Sequence, residues 1–399
     1  LNAILFIGHD ANRAGAQYLL LHLLTYLRET GVRTGLVLGE GGPLLPDYEQ
    51  VTTVYQAFSS TKDPSFGARI LSKLGMAPSA SGHEIDGLPN LIAAIRAGQY
   101  SYIVSNTIAN GRLLRMLEPL NLPFAMYVHE LETSIQIYTR PEDLQYELTH
   151  VSHVFCGSEA VRQNLIDHHG LTPDNTSVLN SLIRTATLID KLKAVDQESV
   201  RKRLGIPSKA VVVGGCGNAE WRKGVDLFLL IARQLLNAHP EVHFVWVGIP
   251  EVGEETRRLQ YDLARMDMAN RVHLLPPGGD YLDYVACFDL FTLTSREDPY
   301  PLVILEAGLN QNPVLCFAGS GGSPDFVGTD TGCLVPYLDL SAMVTALARL
   351  TDDPAERTRL GKLFYERAMA HDVAALVPKL LAKLDAVFLP LTPDQYVGR

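Results

Sequence analysis

Leu290-Phe-Thr-Leu-Thr-Ser295, followed closely by Asp298-Pro-Tyr-Pro-Leu-Val-Ile-Leu-Glu306, is the stretch that decides how this chain folds. The first run is almost continuously apolar, the pattern of a strand buried on both faces of a parallel sheet. Pro299 and Pro301 stop that strand, and residues 302–309 supply apolar positions at helical spacing. A strand whose carboxyl end leads straight into a helix turns the helix's free N–H groups toward a crevice. Open α/β sheets bind phosphate there. Two carboxylates frame the crevice, Asp298 in the turn and Glu306 within the helix, with seven residues between them. Asp298 stands at the mouth of the anion site, where a second negative charge is useful only for gripping hydroxyls. Glu306, one or two turns further on, is placed to reach the hydroxyls of a ribose. A ligand with a sugar at one end, a diphosphate in the middle and a ribose at the other is a nucleotide sugar.

Working outward, short apolar runs alternate with amphipathic ones along the chain, which predicts a doubly wound α/β fold. In the first half the expected strands cover residues 3–8, 34–39, 51–57, 102–105, 124–129, 154–157 and 177–180. A polar stretch at 184–198 breaks the pattern. Strands resume at 210–217, 242–248, 271–275, 290–295, 313–317 and 332–335, and helices are expected at 340–350, 356–369 and 373–388. This division predicts one Rossmann-like domain over residues 1–183 and a second over 184–372. A terminal helix and tail, 373–399, pack back on the first. The linker near Ile183 sets a cleft between the two domains, where ligands usually bind.

Composition narrows the class. The chain has 399 residues, enough for two domains with cores of their own, and 47% apolar against 20% charged residues is the balance of a soluble globular protein. Its net charge of −10 and lack of a long basic run argue against nucleic acid as a partner and against strong adsorption to anionic lipid. The five cysteines form no Cys-x-x-Cys pair, which favours buried thiols in a reducing compartment over disulfides. No apolar run approaches the roughly 18 residues needed to span a bilayer. The expected location is the cytoplasm, with peripheral contact at the inner face of a membrane left open.

Other segments carry chemistry. Gly214-Gly-Cys-Gly-Asn-Ala-Glu-Trp-Arg-Lys-Gly224 follows a predicted strand and opens an apolar helix. Its glycines, Gly217 among them, let the backbone approach a ligand, and Arg222 and Lys223 bring fixed positive charge to a helix start. Cations already in place stabilise the charge that develops on a departing diphosphate. The turn is not a dehydrogenase fingerprint, because Glu220 stands where Gly-x-Gly-x-x-Gly demands its third glycine. In the first half, Gly8-His-Asp-Ala-Asn-Arg-Ala-Gly15 ends at the glycine that opens a helix, so Gly15 is placed to face phosphate across the cleft. His129 ends an apolar strand and thus lies at the cleft, within reach of a substrate. His150 and His153 have no third ligand, and neither His-Glu-x-x-His nor Gly-x-Ser-x-Gly occurs. No metal site and no cofactor are expected.

These motifs together resemble the retaining glycosyltransferases of family four. There the paired acids commonly read Glu-Pro-Phe-Gly, an apolar run and Leu-Glu-Ala. Here Asp298 replaces the first glutamate, Tyr300 the aromatic residue and Pro301 the glycine. Pro301 lacks an N–H, which leaves the amides of Leu302 and Val303 to grip a diphosphate. Arg222-Lys223-Gly224 is similar to the family's Lys-Gly motif, with Asn218 where most members carry an arginine. Gly15 and His129 match the family's first-turn glycine and its sugar-facing histidine, and the resemblance puts Arg13 near an acceptor. Residues 321–325 look like the family's small-residue loop, with Asp325 in place of its usual glutamate.

The resemblance implies two Rossmann-like domains facing a cleft, the GT-B arrangement, and transfer with retention of configuration. The donor would be a nucleotide sugar, and the acceptor a glycan or lipid-linked saccharide. His129, Asp298, Lys223 and Arg222 would then be catalytic. Gly15, Gly217, Leu302, Val303 and Glu306 would hold the donor with Arg222 and Lys223. Two rival readings remain at this stage. One is a sugar-nucleotide epimerase or a phosphorylase on the same fold, and the other a non-catalytic nucleotide- or carbohydrate-binding protein.

Overall fold

A computed structural model describes residues 3–57 and 87–388. Two wholly parallel sheets organise it. The first contains β1 (Ile4–Gly8), β2 (Thr34–Leu38), β3 (Thr53–Gln56), β4 (Tyr102–Ser105), β5 (Phe124–Val128), β6 (His153–Cys156) and β7 (Thr176–Val178), in the order β3-β2-β1-β4-β5-β6-β7. The second contains β8 (Val212–Cys216), β9 (His243–Val247), β10 (Val272–Leu275), β11 (Leu290–Leu293), β12 (Val314–Phe317) and β13 (Leu334–Val335), ordered β10-β9-β8-β11-β12-β13. Every residue of β1, β2, β4, β5, β9 and β11 is buried. Helices cover both faces of such strands, which is why the sequence shows apolar runs instead of alternation.

Each sheet reverses its winding once, between β1 and β4 in the first and between β8 and β11 in the second. The connections diverge there to opposite faces and leave a crevice at the strands' carboxyl ends. Gly15 therefore follows β1, Arg222 and Lys223 follow β8, and Asp298 and Glu306 follow β11. Fold topology alone collects these motifs.

The glycines before the basic turn serve packing more than ligand approach. A Cβ on Gly214 would fall 2.0 Å from the ring of Phe288, and one on Gly215 2.5 Å from that of Trp246. Both glycines sit inside β8 and make room for aromatic rings. The expectation that the whole glycine run exposes backbone to ligand is corrected at these two positions.

The chain crosses between the sheets twice, side by side. Ile183 pairs with Asp372 in an isolated parallel bridge, and Thr185 gives its N–H and hydroxyl to the Asp372 carboxylate at 3.0 and 2.6 Å. The polar stretch after Ile183 is not irregular. It forms helices Thr185–Lys193 and Gln197–Arg203, which bury Leu188, Leu192 and Val200 on one face. Tyr300 anchors the turn after β11 to this crossing. Its hydroxyl lies 2.7 Å from His371 Nε2, and its carbonyl accepts the Ser181 hydroxyl at 2.8 Å. The helix Val373–Phe388 then returns to the first sheet, where Phe388 stacks on Tyr102 with ring centroids 4.5 Å apart. The predicted tail beyond Phe388 lies outside the described residues.

Candidate active site

Lys223 ends a short 3-10 turn, Trp221–Lys223, before Gly224, which adopts φ +67°. A Cβ at Gly224 would lie 2.1 Å from the Thr294 carbonyl, so only glycine lets the turn close on β11. The lysine stem lies over Gly217, whose own Cβ would sit 3.2 Å from it. Gly217 thus makes room for the lysine. Its ammonium donates to Asp298 Oδ2 at 2.5 Å, and the Ser295 hydroxyl donates to the same oxygen at 3.2 Å. Asp298 is only 2% exposed and Lys223 8%. The turn is pinned by Asp298 N–H to Ser320 C=O and by Gly322 N–H to Asp298 C=O.

Arg222 donates through Nε to Glu220 at 2.8 Å, and Asn218 reaches the same carboxylate at 3.3 Å. Burial opposes the Arg222 charge, but Asp298 and Glu220 outweigh it and hold its pKa above the ordinary value. Arg222 therefore keeps its charge throughout the physiological range.

The helix Leu302–Leu309 starts after Pro301 without a side-chain cap, so its first amides are left for another partner. Glu306 lies inside this helix, 3% exposed. The Tyr281 hydroxyl donates to its Oε1 at 2.6 Å, while Oε2 is buried with no partner among the described residues. Burial lifts its carboxyl to about 7, against the bond from Tyr281 and the charge of Lys191. Cys216 and Tyr18 both lie within its electrostatic reach.

Across the cleft, Gly15 opens helix Gly15–Glu29, which also lacks a side-chain cap, and a Cβ there would meet nothing within 4 Å. Asn106 ties this turn to His129, donating to the Ala16 carbonyl at 2.9 Å while its Oδ1 lies 3.4 Å from His129 Nε2. Burial pushes the His129 imidazole down to about 3, so it is neutral at physiological pH. A guanidinium nitrogen of Arg13 approaches Gly279 of the second sheet's loops, 3.9 Å from where a Cβ would stand. Arg13 also acts on Tyr18, as Glu306 does. It therefore belongs to the end of the cleft where Glu306 stands.

Sequence reasoning missed four residues. Tyr281 belongs to no motif. Asn106 carries no signal beyond its place after β4. Glu130 follows His129 directly and was legible as a neighbour. Its carboxylate takes the Thr107 hydroxyl, the Ile108 N–H at 3.3 Å and the His129 N–H at 3.0 Å, so it fixes the ends of β4 and β5 together. Glu297 precedes Asp298 and bonds across the cleft to Thr133. Among the described residues no cluster of three or more His, Cys, Asp or Glu could hold a metal ion.

Two parallel α/β domains whose switch points face one another across a cleft, one carrying paired acids and a basic turn, make up the GT-B arrangement. Residues 13–186 match the family model Glycosyltransferase Family 4, and residues 208–353 match Glycosyl transferases group 1. The chain belongs to this family of glycosyltransferases. It is 30% identical over 228 residues to the D-inositol 3-phosphate glycosyltransferase of Kineococcus radiotolerans, covering 53% of this chain and 52% of that one. With the protein of the same description from Stackebrandtia nassauensis it shares 27% over 296 residues, covering 69% and 66%. The chain thus spans about half the length of the first of these curated relatives and two thirds of the second. In fold it is similar to Anabaena HepE solved with UDP and glucose, at TM-score 0.73 and 21% identity over 96% of this chain and 100% of that one. Sucrose-phosphate synthase of Thermosynechococcus elongatus superposes at TM-score 0.76 with 20% identity, covering 97% and 100%.

Proposed function

We propose that this chain transfers a sugar from a nucleotide-sugar donor to a hydroxyl of a glycan or lipid-linked saccharide, with retention of configuration. The observation that carries the reading is Glu306. One of its oxygens is held by Tyr281 and the other is buried without a partner. A buried carboxylate oxygen in that state is costly unless a ligand supplies donors, and the two hydroxyls of a ribose do so. The uncapped start of the same helix, at Leu302 and Val303, then faces the diphosphate. Asp298 and His129 position the transferred sugar.

In the proposed reaction the bond from the sugar's anomeric carbon to the diphosphate oxygen breaks, and a bond to the acceptor oxygen forms on the same face. The departing phosphate oxygen takes the acceptor's proton. Lys223 and Arg222 stabilise the charge that grows on the diphosphate, so this reading requires no divalent ion. Unlike a glycosidase, the site does not need two carboxylates flanking the scissile bond. The work is done in the cytoplasm, a reading supported by five free thiols. A lipid-linked acceptor would be met by peripheral contact, since no helix among the described residues is long and apolar enough to cross a membrane. The names of the relatives support a phosphorylated polyol or saccharide acceptor class.

The test is a panel of nucleotide sugars differing in base and sugar, scored for release of nucleoside diphosphate with and without saccharide acceptors. Release from one donor, accelerated by an acceptor, is the expected result. Binding of no nucleoside diphosphate and release from no donor would overturn the reading.

A further inference from the structure

Glu297 lies in the second domain, between Arg296 and Asp298, yet its carboxylate reaches the first. Oε2 accepts the hydroxyl of Thr133 at 2.6 Å and its N–H at 3.4 Å. Thr133 stands near the start of helix Glu132–Tyr138, four residues after His129. The loop between them presses on the same turn, where a Cβ at Gly321 would lie 3.0 Å from Leu131 and 1.9 Å from the carbonyl of Asp298. The other oxygen, Oε1, is buried and has no partner among the described residues. Glu297 therefore sits on the seam between the two domains, next to Asp298 in the chain and bonded to the helix that follows His129, with half of its acceptor capacity unused.

We infer that Glu297 is a sugar-contacting specificity residue: Oε2 closes the cleft on Thr133, and Oε1 receives a hydroxyl of the transferred sugar. This deepens the nucleotide-sugar reading and rests on it. A carboxylate repels a diphosphate and accepts hydroxyls well, so its ligand is a polyhydroxy group. A bond to Thr133 alone leaves Oε1 unexplained.

Calorimetric dissociation constants for UDP and UDP-glucose, and for GDP and GDP-mannose, test the assignment on wild type, Thr133→Val and Glu297→Ala. The ratio of the nucleotide constant to the nucleotide-sugar constant isolates the sugar's contribution. Glu297→Ala should lower that ratio about tenfold or more, the size of one charged hydrogen bond. Thr133→Val should lower it less than about threefold, and neither should move the nucleotide constant beyond about twofold. Equal losses in the two variants would mean that Glu297 is only a latch, and would overturn the proposal. If Glu297→Ala fails to fold, Glu297→Gln keeps an oxygen for Thr133, and its ratio should still fall at least about threefold. An unchanged ratio would overturn the proposal. A wild type that binds neither nucleotide would sink the underlying reading and this proposal with it, and that result is distinct from a loss confined to the sugar.

Discussion

Lys223 Nζ lies 2.5 Å from Asp298 Oδ2, joining the loop after β8 to the turn after β11 across the reversal of the second sheet. The cation proposed for the diphosphate and the acid proposed for the sugar are thus one ion pair. Burying such a pair is weak evidence for stability, because desolvation consumes much of the attraction. Its value here is orientation. Asp298 holds the ammonium in place over Gly217, so in the proposed reaction little reorganisation remains for the moment of bond breaking.

Replacing Lys223 by Ala should lower turnover by about 10²–10³-fold, as for loss of one charge-stabilising donor. The ion pair adds a second consequence. Alanine leaves Asp298 buried without its ammonium partner, a loss that costs up to roughly 3–5 kcal/mol. Adding Asp298→Asn should recover much of the melting temperature and none of the turnover. Turnover within about threefold of wild type for the single variant would remove Lys223 from the mechanism.

Glu306→Gln keeps the side chain's size and the Tyr281 acceptor, but removes the charge offered to the ribose. Charged hydrogen bonds contribute about 1.5–3 kcal/mol, so affinity for the nucleoside diphosphate should fall about ten- to a hundredfold. Calorimetry reads this directly. Unchanged affinity would make the helix purely structural.

The same substitution should stabilise the empty protein at alkaline pH. Glu306 titrates at about 7 in the fold, against an ordinary value of 4.5. Between those values the folded state holds a proton that the unfolded chain has released. Stability from this group therefore falls as pH rises through that window, and the deficit persists above it. The full deficit is roughly 3 kcal/mol. Without ligand, Glu306→Gln should melt above wild type at about pH 8 and close to it at about pH 5. A variant less stable than wild type at the higher pH would contradict the burial argument.

Legibility in the sequence tracked the range of the interaction. Runs such as Tyr102–Ser105 and Leu290–Leu293 announced themselves because a strand buried on both faces is almost continuously apolar. The helix Thr185–Lys193 did not, since only Thr185, Leu188 and Leu192 are buried on an otherwise polar surface. Lys223 and Asp298 were readable as chemistry but not as a pair, being 75 residues apart. Tyr281 and Thr133 were unreadable, because neither residue type implies a carboxylate partner 25 or 164 residues away. Gly214 and Gly215 were misread for the same reason, since the rings they accommodate come from distant segments.

Activity should persist in excess chelator. In the proposed reaction Lys223 and Arg222 supply the positive charge that a divalent ion would otherwise bring, and Arg222 stays charged because Asp298 and Glu220 outweigh its burial. Turnover measured with EDTA should match that without it. Loss of activity restored by magnesium or manganese would show that the two cations do not suffice.

The product should keep the donor's anomeric configuration. An inverting enzyme needs a base on the face opposite the leaving group, to draw the proton from the acceptor as it attacks. The first domain's carboxylates near the cleft are poor candidates. Asp10 is held by Asn12 and Gln17, and Glu130 by Thr107, Ile108 and His129. His129 is kept neutral by burial, with its pKa pushed down to about 3, which makes it a weak base. With those groups committed or weak, the strongest acceptor for the proton is the departing phosphate itself, which lies on the face the sugar leaves. Attack guided by that oxygen must come from the same face, and retention follows. Proton NMR of the first-formed product distinguishes the outcomes before the anomers equilibrate. An inverted product would require one of these side chains to be released as a base, and would overturn the assignment of roles even with nucleotide-sugar binding intact.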